Sequence, residues 1–353
     1  MIRRSRVRMI SAIANGRRAR ACHATTALLA AAACLFLVTT ARAEHIKFVS
    51  TRSVSCAPFL IAQAKGYFAA EGLDAEHIVF DAAGPITLAI ASGDADVGAT
   101  GLSGAFFNLA AQGQLRIIGG YVTDTPGFPA IAYIVSNRAW QQGLRSFKDL
   151  DGHSVGVTQV GTGLHYSVAL LGEKYGFDLR SVRILPLQSY NNELSAVTGG
   201  NVDAAVLPTN YARAAVDSGR VKLLGELGDA VSVQTGTLFV SAKTAAERPD
   251  MVQRFLRAFR HGARDYRAAF IGPDQRPAWG PTALELTAII AKGTQQTVAG
   301  VKKDLTYIDA DARVNVADVM HQAAWYKAQG MVKGDIDGTT LIDQRFAILL
   351  PQR

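Results

Sequence analysis

From residue 44 to about residue 242, short apolar runs of strand length alternate with segments of helix length. Ile46, Phe48 and Val49 make the first strand-like run. A hydroxyl-rich loop, Thr51 to Cys56, follows it, and a helix opens at Pro58. Apolar positions 60, 64, 67 and 68 recur at a spacing that suits packing on a sheet, while Gly66 and Gly72 interrupt the helix before the next strand. Such alternation predicts parallel α/β structure. Beyond it, 235–242 is strand-like. Residues 249–270 form a long amphipathic helix with Met251, Val252, Phe255, Leu256, Phe259 and Ala263 at helical spacing, and 281–290 and 315–332 predict two more helices. Arg, His and Trp in these helices read as solvated-face or packing residues.

A repeat is visible within the pattern. Residues 90–101, IASGDADVGATG, resemble 197–208, VTGGNVDAAVLP; each finishes a helix, turns, and enters a short strand. Gly93 falls on Gly200 and Asp96 on Asp203, an offset of 107 residues. The same offset lays KFVST (47–51) on SVGVT (154–158) and LDAEHIVF (73–80) on RSVRILPL (180–187). The expectation is two similar lobes, each a small doubly wound sheet. Lobe 1 is expected to be discontinuous (44–147 plus 237–353), with lobe 2 at 148–236 and two crossings acting as a hinge. The paired glycines and aspartates read as scaffold: helix stops in the left-handed region followed by turns.

In an open parallel sheet, ligands sit beyond the carboxyl ends of the strands, where helix N-termini point free N–H groups outward. The loops after the matched strands are therefore the candidate site. In the first lobe they carry Arg52 and Ser53, then Asp81, then Gly101 and Ser103. In the second they carry Thr162 and His165, then Ser189, Tyr190 and Asn191, then Asn210 and Tyr211. Hydroxyls, amides and helix N–H groups can hold an oxyanion without a formal countercharge. Arg52 and His165 are the possible cations, and Tyr190 and Tyr211 offer flat walls with a polar end. Ser103, Thr162 and Thr209 are equally placed to be ordinary N-caps.

Charge changes the picture once the N-terminus is separated. The chain has 37 Lys and Arg against 29 Asp and Glu, a formal charge of +8. Eight of those bases are arginines within residues 1–43, which contain no lysine and no acid, so the remainder is neutral. The basic character is therefore no sign of nucleic acid. The same segment has an apolar run from Ala27 to Val38 and Ala41-Arg42-Ala43 as a small-x-small cleavage site, the pattern of a cleaved secretory signal peptide (1–43). A twin-arginine reading of Arg17-Arg18 and a lipid anchor at Cys34 stay open. Cleavage removes Cys22 and Cys34 and leaves Cys56 alone, so no internal disulfide is expected.

Catalytic signatures are sparse. GTG at 161–163 is too short for a dinucleotide fingerprint, and neither a phosphate-binding lysine loop nor a Gly-x-Ser-x-Gly elbow occurs. The histidines are scattered, without metal spacing. Cys56 and His165, in corresponding loops, would pair as a nucleophile and base only if they faced one another.

APFLIAQAKGYFAAEGLDAE (57–76) resembles the N-terminal segment of periplasmic solute-binding proteins of ABC importers, of the nitrate/sulfonate/taurine type that includes binders of thiamine-pyrimidine precursors. Pro58, Ala62, Lys65-Gly66-Tyr67-Phe68 and Glu71-Gly72-Leu73 carry the likeness. ASGDADVGATG (91–101), SFKDLDGHSVGV (146–157) and AAERPDMVQRFLRAF (245–259) extend it over about residues 46–335. The resemblance implies a type II periplasmic binding protein fold, α/β, whose two lobes close on a solute. It also implies a monomeric exported receptor that passes a small organic anion to a membrane permease, with no cofactor and no catalysis. The cysteine-rich iron-site motif of the related pyrimidine-forming enzymes is missing. An enzyme on the same scaffold and a ligand-presenting sensory subunit are the alternatives.

Overall fold

The computed structural model describes residues 42–351. The expected leader, with its apolar run, Cys22 and Cys34, lies outside the described residues apart from its last two positions. Strands β1 (Glu44–Thr51), β2 (Leu73–Phe80), β3 (Val97–Thr100), β4 (Leu115–Asp124), β10 (Val233–Ser241) and β11 (Tyr307–Ile308) form one sheet in the order β11-β4-β10-β3-β1-β2. Strands β5 (Ile131–Ser136), β6 (Ser154–Val157), β7 (Arg183–Pro186), β8 (Ala204–Pro208) and β9 (Val221–Glu226) form the other, in the order β7-β6-β8-β5-β9. Without β11 the two orders correspond strand for strand. In each sheet the first three strands are parallel, and one antiparallel strand, β10 or β5, arrives from the other lobe.

The 107-residue repeat survives at the level of register. Phe48 pairs with Val97 as Val155 pairs with Ala204, and Lys47 pairs with Glu76 as Ser154 pairs with Arg183. The repeated aspartates do the same work twice. Asp96 accepts the Lys47 N–H at 2.8 Å, and Asp203 accepts the Ser154 N–H at 2.9 Å. Each is also met by an arginine just past the arriving antiparallel strand, Arg248 for Asp96 and Arg138 for Asp203. Gly93 and Gly200 stop the preceding helices at φ of 84° and 72°, a region open to glycine at little cost.

One expectation needs correcting. Residues 131–136 lie in the second sheet, so the chain enters the second lobe in the segment after Asp124 and not near residue 147. The motif at 146–157 marks the start of the parallel unit, whereas the crossing strand β5 comes before it. The return runs from Glu226 to Val233, a few residues ahead of the expected position.

The helices that matter for the site are α1 (Ala57–Ala64), α2 (Ala83–Ser92), α3 (Gly104–Ala111), α4 (Gly163–Tyr175), α5 (Tyr190–Thr198), α6 (Thr209–Asp217), α7 (Pro249–Phe270), α8 (Ala283–Thr294) and α9 (Val316–Ala328). As the periodicity predicts, α7 buries Met251, Val252, Phe255, Leu256, Phe259 and Ala263. Phe255 stacks on Phe48, which stacks on Phe59 of α1 at 4.2 Å. The helices touch backbone to backbone at Gly262, where an added Cβ would fall 2.0 Å from the Pro58 carbonyl oxygen. The tail therefore completes the first lobe, and the loop ahead of α1 is held between the sheet and α7.

Both crossings meet at one carboxyl. Asp124, the last residue of β4, is fully buried. Its Oδ1 accepts the N–H groups of Ala130 and Ile131 at 3.2 and 3.1 Å, where the outgoing crossing becomes β5. Its Oδ2 accepts the Thr235 hydroxyl at 2.9 Å, where the returning crossing has become β10. Burial pushes this carboxyl up to about 7, against the three hydrogen bonds that favour its ionised form. Asp124→Ala would leave two buried N–H groups and a hydroxyl without an acceptor. We expect it to lower unfolding free energy by about 2–4 kcal/mol, measured by urea denaturation. Asp124→Asn keeps the oxygen that serves Ala130 and Ile131 and is expected to cost less than half as much. Equal losses would show that charge, not hydrogen bonding, fastens the crossings.

Candidate functional site

A cavity opens between the lobes, with about 1000 Å³ of empty space counted out to its mouth. Its walls come from both sheets' carboxyl ends and from both crossings. Apolar side chains, among them Val54, Leu102, Ile131, Leu164 and Val233, form much of the lining. Polar groups are hydroxyls, amides and one carboxylate, Asp304; no lysine, arginine or histidine lines the cavity.

The lobes touch on both flanks of this space. On one, the Asn210 amide donates to the Arg52 carbonyl at 3.1 Å, and Arg213 of α6 grips Asp304 at 2.9 Å. Lys303 pairs with Asp217 beside it, at 2.9 Å. On the other, the Gly104 N–H donates to the Gly161 carbonyl at 2.8 Å, and the Tyr166 hydroxyl meets His321 Nδ1 at 2.5 Å. The Trp325 ring stands edge-on to His165 and Tyr166. The lobes are thus closed onto one another.

Of the residues expected at the site, Ser53, Gly101, Thr162, Tyr190 and Asn210 line the cavity. The others do not, for reasons of local bonding. Ser103 and Ser189 cap α3 and α5, accepting the N–H groups of Phe106 and Asn192. His165 is buried against Trp325, and its Nδ1 accepts the Gly161 N–H at 3.0 Å. Burial pushes its pKa down to about 4, so at neutral pH it is not a cation. Asp81 and Asn191 are exposed. Tyr211 packs against the outer side of the site on Tyr190, ring centres 4.8 Å apart. The Arg52 side chain is outside the lining, and the contact this residue makes across the cleft is through its carbonyl. Thr162 lines the cavity and also caps α4, with its own hydroxyl donating to Gln159.

Sequence reasoning missed other lining residues. Tyr121, Thr235 and Ile131 belong to the crossings, and Thr306 and Gln322 to the tail; none follows a parallel strand. Thr209 sat in a candidate loop but read as a cap. In the structure the cap position of α6 is Pro208, and Thr209 is its first helical residue.

The profile of the family described as NMT1/THI5 like matches residues 53–270. The chain belongs to the NMT1/THI5-like family. No match is found among curated protein sequences. Among solved structures, the Candida albicans CA3427 gene product, reported to have the generic periplasmic binding protein fold, is 15% identical with a TM-score of 0.66. That match covers 87% of this chain and 98% of that one. The alkanesulfonate-binding protein SsuA from Xanthomonas axonopodis pv. citri, bound to MOPS, is 18% identical with a TM-score of 0.66, covering 84% and 97%. The desulfurization enzyme DSZB is 13% identical with a TM-score of 0.57, covering 86% and 97%. The fold is that of periplasmic binding proteins, and in other hands it also supports an enzyme.

In this NMT1/THI5-like chain the groups an enzyme would use are held inert. Cys56 is buried, its Sγ 2.9 Å from both Ser50 Oγ and the Thr51 carbonyl oxygen, and burial raises its thiol pKa. A reactive thiol requires the opposite shift. Cys56 and His165 each have their own partners and do not pair. Ser50 Oγ links Cys56 instead to His77 Nε2, at 2.8 Å. Burial, with the charge of Arg52, pushes His77 down to about 4. No cluster of three or more His, Cys, Asp or Glu among the described residues could hold a metal, and no helix among them is long and apolar enough to cross a membrane.

One carboxyl is left without any partner. Glu193, one turn past Tyr190 on α5, is fully buried with neither oxygen hydrogen-bonded, and burial pushes it up to about 9. It is outside the cavity lining. A raised carboxyl pKa means the folded chain holds a proton the unfolded chain has lost. Stability is then full below about 4.5 and falls as pH rises towards about 9. Asp124 contributes a fall of the same sign that ends near pH 7. Between pH 7 and 9 the wild type is expected to lose several degrees of melting temperature, and Glu193→Gln to lose markedly less. Parallel melting curves against pH would show that Glu193 titrates normally.

Proposed function

We propose that this chain is the exported solute-binding receptor of an ABC importer, carrying a small organic anion, a sulfonate or an aromatic or heterocyclic acid, to its permease. The observation that carries the reading is the enclosed cavity between two lobes of matching topology, fed by helix N-termini from both. Family membership and the fold shared with sulfonate-binding SsuA support it. The leader pattern supports export to the periplasm. A single chain supplies both walls of the cavity, which supports a monomer.

The proposed cycle follows from the contacts. The open lobes admit the solute, and closure forms the Asn210–Arg52, Arg213–Asp304 and Gly104–Gly161 bridges around it. Closure excludes water, and polar contacts to the bound group strengthen in the lower dielectric. The closed shape is the signal to the permease, because solute shifts the lobes towards it by binding that state better. The enzyme reading has less behind it: Cys56 is buried with a raised pKa, and His77 and His165 are neutral.

Thermal unfolding of the chain from Glu44 onward, against sulfonates, aromatic carboxylates, pyrimidines, taurine and nitrate, tests the reading. A solute at 100 times its Kd adds about 2.7 kcal/mol, which for a chain of this size raises the midpoint by roughly 2–4 °C per kcal/mol. The expected result is a shift confined to one chemical class, with the solute recovered unchanged. Turnover of the solute would replace the receptor with an enzyme.

A further inference from the structure

Two hydroxyls in the cavity wall have no partner. Thr209 and Thr306 are each 4% exposed, their Oγ1 atoms make no hydrogen bond, and both residues line the cavity. Other cavity hydroxyls are bonded internally: Thr162 to the Gln159 carbonyl, Ser167 to the Leu164 carbonyl and Thr235 to Asp124. Leaving a buried hydroxyl unpaired costs about 1–3 kcal/mol, so a pair of them facing one space points to an absent acceptor.

The surroundings say what kind of acceptor. Thr209 opens α6, whose cap residue Pro208 offers no side-chain acceptor to the first-turn N–H groups; α3, α4 and α5 have Ser103, Thr162 and Ser189 in that role. A free helix N-terminus favours an anion. Arg213, one turn along the same face of α6, adds positive potential. The Asp304 carboxylate beside it is already bonded through both oxygens, to Arg213 and to the Gln296 amide. With no cation in the lining, the site suits a single negative charge spread over several oxygens. Thr209 belongs to the second lobe and Thr306 to the tail of the first, so one head group touching both would couple binding to closure.

Resting on the receptor reading, we infer that the solute is a bulky monoanion. Its oxyanion head sits at the start of α6 between the Thr209 and Thr306 hydroxyls, and its apolar body lies against Leu102, Ile131, Leu164 and Val233. Nitrate or taurine would leave most of the roughly 1000 Å³ and its apolar walls unfilled. An aryl or medium-chain alkyl sulfonate or carboxylate fills them, and each buried CH₂ adds about 0.8 kcal/mol.

Titration calorimetry with naphthalene-2-sulfonate, 1-octanesulfonate, taurine and nitrate tests this on the wild type, Thr209→Val, Thr306→Val and Thr306→Ser. Valine keeps the shape and removes only an unpaired hydroxyl, so the ligand-free melting temperature of each valine variant should stay level or rise. The bulky sulfonates are expected to bind at least tenfold more tightly than taurine and nitrate. Each valine variant should weaken them about tenfold, and Thr306→Ser should restore them. Wild-type affinity in both valine variants would overturn the head-group site while leaving the receptor standing. Equal affinity for nitrate or taurine would overturn the bulky solute. A drop in the ligand-free melting temperature would show the hydroxyls to be internally bonded, and would overturn the premise. No binding of any probe to the wild type would overturn both this inference and the receptor reading.

Discussion

A chain that builds two sheets and crosses between them twice must end each crossing in a strand that runs against its neighbours. Here the two crossings are fastened at one buried carboxyl. Asp124 bonds to the start of β5 with one oxygen and to β10 with the other. The lobes therefore share a single hydrogen-bonded junction, and the cavity lies directly beside it, with Ala130, Ile131 and Thr235 in its wall. A fixed junction with mobile flanks is the geometry a two-lobed closure needs. The flanking contacts suit that role: Arg213–Asp304 and Asn210–Arg52 on one side, Tyr166–His321 on the other, all polar and all between side chains or loop carbonyls.

The lobes are related by a physical device used twice. Asp96 and Asp203 each clamp the first residues of the central strand and each take an arginine delivered by the strand arriving from the other lobe. Register between the parallel strands is thereby set at the end remote from the ligand. The carboxyl ends of β1, β3, β6 and β8 are left free to differ, and there the lobes do differ. The first offers Ser53 and Gly101, and the second Thr162, Tyr190 and Asn210.

Polar residues near a helix N-terminus divide between two uses, and the division explains the site. A serine or threonine that caps its own helix has its oxygen occupied, as Ser103 and Ser189 do. Where the cap is a proline, as at α6, the first-turn N–H groups and the next hydroxyl stay available. Composition alone cannot separate these cases, because the residue types are the same. The same holds for charge: Arg52 and His165 were the cations within reach of the cleft by sequence position, yet one contributes a carbonyl and the other is buried and neutral.

The sequence by itself determined the alternation of strands and helices, the two lobes with their 107-residue register, the long helix of the tail and its buried face, and which loops end at the cleft. These are local or periodic properties, carried by residue spacing and by glycine and aspartate at turns. The tertiary structure alone decided that β5 belongs to the second sheet, since strand partners are set by non-local pairing. It also brought Tyr121, Thr306 and Gln322 into the cavity wall from the crossing and the tail. Finally, it settled which hydroxyls are already bonded and which remain free, because hydrogen-bond satisfaction depends on neighbours that sequence distance does not reveal.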